Sequence, residues 1–181
     1  SWCGAVKSHG FVSYLESLGV AVCARIHDFP GGSVVPVRGA CPPETRQTML
    51  VVGNWKMNGG LQANASLLAS LRAGWTVADG RVMVVCAPFP YLAQARDALS
   101  GSVVAWGAQD VSAHAAGAYT GEVSGAMIAE FGARYVLVGH SERRALHDET
   151  DGEVAGKALA ALRAGLTPIV CVGETLAERD D

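Results

Sequence analysis

An α/β fold built on a parallel sheet is what this sequence predicts, and three observations carry the prediction. From Met49 onward, short runs rich in Val, Leu and Ile alternate with longer stretches of helical character. Those runs are near-continuously apolar rather than alternating in polarity, as expected of parallel strands covered on both faces. Glycines at Gly74, Gly101, Gly132 and Gly165 mark where helices should stop. In chain order the pattern gives a strand over 49–54, a helix over 61–73, a strand over 81–86, a helix over 91–99 and a strand over 103–106. A Gly-rich loop around 113–121 follows, then a helix over 124–131, a strand over 135–138, a helix over 149–164 and a strand over 168–172. Five strands and their crossovers result.

Residues 1–48 break this rhythm. They hold Cys3, Cys23 and Cys41, Pro30, Pro36, Pro42 and Pro43, and no alternating element. The expectation is an unstructured or extraneous leader before a domain spanning 49–181, with the true start near Met49. A signal peptide is not supported, because the apolar stretch 18–24 is short and Glu16 stands beside it.

Composition narrows the function. Half of the 181 residues are hydrophobic, 17% are charged and the formal net charge is −3, so a globular core is expected and disorder is not. With no Lys/Arg cluster, a nucleic-acid surface is not expected, although a small anion remains open as a ligand. No apolar run reaches the roughly 18 residues of a membrane span. The five cysteines are far apart, without CxxC pairs or zinc-like Cys/His spacing, which points to thiols in a reducing, cytoplasmic setting and to no metal. Cys86 and Cys171 each end an apolar run and read as small buried hydrophobes.

Four junctions carry candidate chemistry. The sharpest is Gly139-His140-Ser141-Glu142, where an apolar strand stops at a glycine and passes directly to a histidine, a helix-capping serine and an acid. A histidine at the positive end of a helix resists protonation, and a neutral imidazole suits an electrophile that donates a hydrogen bond to a developing oxyanion. Glu142 has two readings, complement to the helix dipole or partner of Lys56. Arg143 and Arg144 are expected to form surface or interface ion pairs. At Gly53-Asn54-Trp55-Lys56-Met57-Asn58 a strand end offers an ammonium at Lys56 and an orienting amide at Asn54, a combination suited to an anionic, oxygen-rich ligand, or simply a solvated loop. Gly117-Ala118-Tyr119-Thr120-Gly121-Glu122 forms a protruding loop that either meets a partner chain or only connects. Cys171-Val172-Gly173-Glu174-Thr175 is a fourth strand end.

Taken in order with Cys86-Ala87-Pro88-Phe89-Pro90-Tyr91-Leu92 and Gly107-Ala108-Gln109-Asp110, these segments resemble the triosephosphate isomerase family over residues 49–181. The resemblance implies a partial (β/α)8 TIM barrel, about the first five strands with their helices, not closed. It implies interconversion of dihydroxyacetone phosphate and D-glyceraldehyde 3-phosphate without cofactor or metal, in a cytoplasmic homodimer. By the same resemblance His140 is the electrophile, and the family's histidine works as a neutral imidazole. Lys56 and Asn54 bind substrate, and Ser141 and Glu142 support the pocket. Thr120 reaches across the dimer interface, which Gln109 braces. The family's catalytic base, a glutamate in a Tyr-Glu-Pro-Val-Trp-Ala-like strand end, has no counterpart among these 181 residues. Hence the expectation is an N-terminal portion of such an enzyme, inactive alone. Two other readings stay open: a non-catalytic phosphate-binding or assembly module on a partial barrel, and another barrel enzyme of phosphosugars.

Overall fold

A computed structural model describes residues 21–24, 49–76 and 81–172. Its elements are β1 (Ala21–Ala24), β2 (Met49–Asn54), α1 (Leu61–Gly74), β3 (Arg81–Ala87), a 3-10 turn (Phe89–Tyr91), α2 (Leu92–Leu99), β4 (Ala105–Ala108), α3 (Gly125–Glu130), β5 (Tyr135–Val138), α4 (Ser141–Leu146), α5 (Asp151–Arg163) and β6 (Thr167–Val172). The sheet runs β1-β6-β5-β4-β3-β2, and every neighbouring pair is parallel. Strands β2 to β6 therefore lie side by side in chain order, each joined to the next by a helical crossover. This is an open, partial (β/α)8 TIM barrel, as the sequence predicts.

Three clusters of side chains show why the strands read as continuous apolar runs. Leu50, Val52, Val84, Cys86, Ala105, Leu137, Ile169 and Cys171 pack together on one face, strand against strand. The intervening residues face helices: Val136, Val138 and Val170 meet Ile128, Val154, Ala158 and Ala161, while Val85 meets Leu68, Leu99 and Val104. Each fully buried Val or Leu contributes about 1.5–3 kcal/mol relative to exposure, so both faces are held by the same hydrophobic term. Burial pushes the Cys86 thiol up to about 12, which fits a packing role and leaves no thiolate nucleophile there.

Several boundaries differ from the sequence reading, for local reasons. The strand expected at 103–106 is displaced to β4, because the Ser102 hydroxyl accepts from the Val104 N–H and takes that donor up before the ladder begins. Helix α5 starts at Asp151 rather than 149, since Thr150 and Glu153 form a reciprocal capping box that fixes the first turn. The short α4 separates itself from α5. Residues 1–48 were expected to hold no element, yet Ala21–Ala24 forms a strand beside β6. The rest of that segment lies outside the described residues.

A charged network fastens α4 to the body of the sheet. Glu149, only 5% exposed at its side chain, accepts from both Arg143 of α4 and Lys157 of α5. Lys157 Nζ also donates to both Asp110 oxygens, at 2.8 and 2.9 Å, and Arg143 lies 3.1 Å from Asp110 Oδ2. Burial raises the Asp110 carboxyl above its ordinary range despite Lys157 and Arg143. For Glu149 burial pulls upward too, but the hydrogen bonds from Lys157 and Arg143 prevail and its pKa is lowered.

Three outcomes follow. Thr150→Ala removes the cap of α5 and should cost about 1 kcal/mol, read as a lower urea midpoint. Gly107→Ala sets a Cβ 2.4 Å from the Tyr135 carbonyl oxygen, on the strand it pairs with, so a loss of about 1–3 kcal/mol is expected in the same titration. Because the folded Glu149 pKa is depressed, its contribution is present above about pH 4.5 and disappears as pH falls toward the folded value. Asp110, with a raised folded pKa, contributes the opposite slope as pH rises from 3.8. Glu149→Gln should consequently flatten the acid side of a stability-versus-pH curve, and an unchanged acid limb would contradict the assignment.

Candidate active site

Asn54 closes β2, and the chain beyond it is bent in an unusual way. The Trp55 N–H still extends the ladder to the Cys86 carbonyl at 3.1 Å, but Lys56 then adopts φ +51, a left-handed conformation that costs a non-glycine residue about 1–3 kcal/mol. Two amide side chains hold it. Asn54 Oδ1 accepts from the Lys56 N–H at 2.9 Å, and Gln109 Nε2 donates to the Lys56 carbonyl at 2.9 Å and to the Cys86 carbonyl at 3.0 Å. Gln109 follows β4 directly, so three consecutive strand ends are tied together at one edge of the sheet.

The second half of the site lies at the end of β5. Gly139 has φ +67, and a Cβ there would stand 2.7 Å from a Val154 methyl, so the turn requires glycine. Arg144 Nε donates to the Gly139 carbonyl at 3.0 Å, and its Nη1 bonds Asp151 at 2.7 Å, which pins the turn to the start of α5. His140 follows, 5% exposed.

The sequence reading made Ser141 the cap of this helix; the structure corrects it. His140 itself is the N-cap, with Nδ1 accepting from the Glu142 N–H at 3.3 Å, and Ser141 is the exposed first helical residue. The reason is reach, since an imidazole one residue earlier spans to the second amide of the helix. An Nδ1 that accepts an N–H carries no proton, so the neutral ring bears its proton on Nε2.

Glu142 joins the two halves. Its Oε1 is 3.1 Å from Lys56 Nζ, and its Oε2 is 3.4 Å from His140 Nδ1. The Lys56 pair is the shorter and joins two formal charges, whereas the contact to Nδ1 becomes an ion pair only if the ring is protonated. Of the two readings left open for Glu142, the geometry realises the pairing with Lys56 while keeping the acid in the first turn.

Among the predicted site residues, Asn54, Lys56, Gln109, His140 and Glu142 are brought together. Thr120 is not: it is exposed at the tip of the 117–121 loop, whose base is closed by the Ser112 N–H on the Val123 carbonyl and whose side is stiffened by His114 stacked on Tyr119 at 3.9 Å. Glu174 lies outside the described residues. Sequence reasoning missed the parts of Asp110, Glu149 and Lys157; it expected surface or interface ion pairs of the two arginines, and Arg143 pairs with Asp110 and Glu149 while Arg144 pairs with Asp151. One signal was available, since Lys157 sits at helical spacing with Val154 and Ala161 on the buried stripe of α5. Among the described residues, no helix is long and apolar enough to cross a membrane.

The family model described as triosephosphate isomerase matches residues 49–181. The triosephosphate isomerase of Bordetella pertussis (strain Tohama I) is 67% identical over 131 residues, covering 72% of this chain and 52% of that protein. That of Cupriavidus necator is 64% identical over 131 residues, with the same coverage. Among solved structures, the crystal structure of triosephosphate isomerase from Bartonella henselae superposes with a TM-score of 0.68 at 40% identity, covering 72% of this chain and 54% of the other. The chain spans about half the length of the curated relatives it matches. With the family's model matched over residues 49–181, most of the chain, this chain belongs to the triosephosphate isomerase family.

Proposed function

We propose that residues 49–181 carry the electrophilic and anion-binding half of a triose-phosphate isomerase site. The observation that supports it is the hydrogen bond from the Glu142 N–H to His140 Nδ1, which assigns the proton of a neutral ring to Nε2, the donor that an electrophile uses. A triose phosphate enters with its phosphate toward Lys56, whose backbone is clamped by Asn54 and Gln109. The Nε2–H then donates to the substrate carbonyl oxygen. As a carboxylate removes the proton from the adjacent carbon, the C–H electron pair forms the C=C bond of an enediolate, and negative charge collects on the oxygen facing His140. Lys56 stabilises that charge, His140 passes the hydroxyl proton from one enediolate oxygen to the other, and return of a proton to the former carbonyl carbon completes the isomerisation. The family's base, a glutamate in a Tyr-Glu-Pro-Val-Trp-Ala-like segment, is not in this sequence. Ser141 supports the pocket from the first turn of α4. In a homodimer, Thr120 reaches toward Asn54 and Lys56 of a second copy, with Gln109 bracing that region, in a cytoplasmic setting.

The 181-residue polypeptide assayed alone should turn over dihydroxyacetone phosphate no faster than background in a coupled assay. An ordinary enzymatic rate would require another base within the chain. Binding separates this account from that of a non-catalytic phosphate module. Lys56→Met should weaken dihydroxyacetone phosphate at least tenfold by calorimetry. His140→Gln should weaken it measurably while leaving inorganic phosphate unaffected, and a phosphate module would give equal loss or none for both ligands.

A further inference from the structure

The turn that carries Lys56 is held on its strand side by Asn54 and Gln109, while its other side, Met57-Asn58-Gly59-Gly60, leads into α1. We propose that Asn64 of α1 and Gln94 of α2 form a second amide clamp, a positioning pair that fixes this far side and with it the left-handed backbone of Lys56. The inference rests on the reading of Lys56 as the phosphate-binding group and adds two residues to it.

Three observations carry it. First, Asn64 stands one helical turn before Leu68 on the buried stripe of α1 and is only 3% exposed, a place where an apolar side chain gains and an unbonded amide loses. Both of its polar atoms are bonded. Oδ1 accepts from the Gly60 N–H at 3.2 Å and Nδ2 donates to Gln94 Oε1 at 3.1 Å, while Gln94 Nε2 donates back to the Leu61 carbonyl at 2.6 Å. Second, α1 has no side-chain cap, because Gly60 is its N-cap residue and its first turn holds no acid. Asn64 supplies the acceptor that a capping box would otherwise direct at the N-cap N–H. Third, Gly59 has φ +139, and a Cβ there would stand 2.7 Å from Tyr91 Cε2 and 3.0 Å from Asn64 Oδ1, so its backbone lies against both. Asn58 Nδ2 meanwhile donates to the Trp55 carbonyl at 3.0 Å, closing the turn across Lys56. A left-handed residue other than glycine persists only where its surroundings over-determine it. With Gly60 released, the two adjacent glycines free the segment, and Lys56 relaxes even with Asn54 and Gln109 in place.

Native-state hydrogen exchange on the full 181-residue chain reads the clamp without any ligand. Asn64→Leu, close in volume, removes both bonds of the side chain, whereas Asn64→Asp keeps the acceptor for the Gly60 N–H. Relative to the slowest amides of β3 and β5, which report global opening, the Lys56 N–H should exchange roughly tenfold faster in Asn64→Leu and within about threefold of the parent in Asn64→Asp. Dihydroxyacetone phosphate should bind Asn64→Leu about fivefold more weakly by calorimetry, through lost pre-organisation. A merely structural Asn64 would speed Lys56 and the strand amides by the same factor. That result, or an unmoved Lys56 amide, would overturn the proposal. If Asn64→Leu fails to fold, Gln94→Met, at the partly buried end of the pair, takes its place: about threefold faster exchange at Lys56 supports the clamp and none refutes it. The two readings fail separately. Parent-like binding of dihydroxyacetone phosphate by Lys56→Met sinks the phosphate role, whereas weakened binding by Lys56→Met with parent-like binding by Asn64→Leu sinks the clamp.

Discussion

Everything at the candidate site depends on the strands running in one direction. Parallel pairing sends the C-terminal ends of β2, β3, β4 and β5 to the same edge, so that residues far apart in sequence become neighbours without any long-range motif. Asn54, Cys86, Gln109 and Gly139 are each at or just past such an end. The Gln109 amide, bonded to carbonyls of both Lys56 and Cys86, is the direct expression of that constraint. An antiparallel neighbour would send one of those ends to the far side of the sheet.

Upon that frame, two left-handed turns aim the functional groups. Lys56 and Gly139 both have positive φ, and both are stabilised by side chains that arrive from other elements: Asn54 and Gln109 for the first, Arg144 for the second. The cost of the lysine's conformation is met by hydrogen bonds that exist only when β2 and β4 are correctly placed. Arg143, Asp110, Glu149 and Lys157 do the same on a larger scale, since four charges with little exposure to water must satisfy one another or destabilise α4 and α5 together. Binding geometry and fold stability are therefore coupled through polar groups, while the apolar clusters supply most of the driving force.

How much of this the sequence revealed varied with how local the cause was. Strands 49–54 and 135–138 were legible to the residue, because each is an apolar run bounded by a turn-forming position. The junction at His140 was legible as a site for the same reason, yet the identity of its cap was not. Whether Ser141 or the preceding imidazole takes the Glu142 N–H depends on side-chain reach in three dimensions. The start of α5 was blurred by Glu149, an acid that reads as helical but is drawn out to meet Arg143 and Lys157. β1 was illegible, as four apolar residues acquire a strand conformation only from β6, which lies far along the chain. The Asp110–Lys157 pair, 47 positions apart, has no local signal beyond a lysine on a buried helical stripe.

The account rests on one proton: that His140 is a neutral ring whose Nδ1 accepts from the backbone and whose Nε2 carries the hydrogen. Nitrogen-15 NMR of the imidazole side chains at neutral pH, with His140 assigned by substitution, reads this directly. A bare Nδ1 coupled to no proton and a protonated Nε2 are the predicted signature. A proton on Nδ1, in either the other tautomer or the imidazolium, would contradict the cap geometry and the electrophilic role built on it.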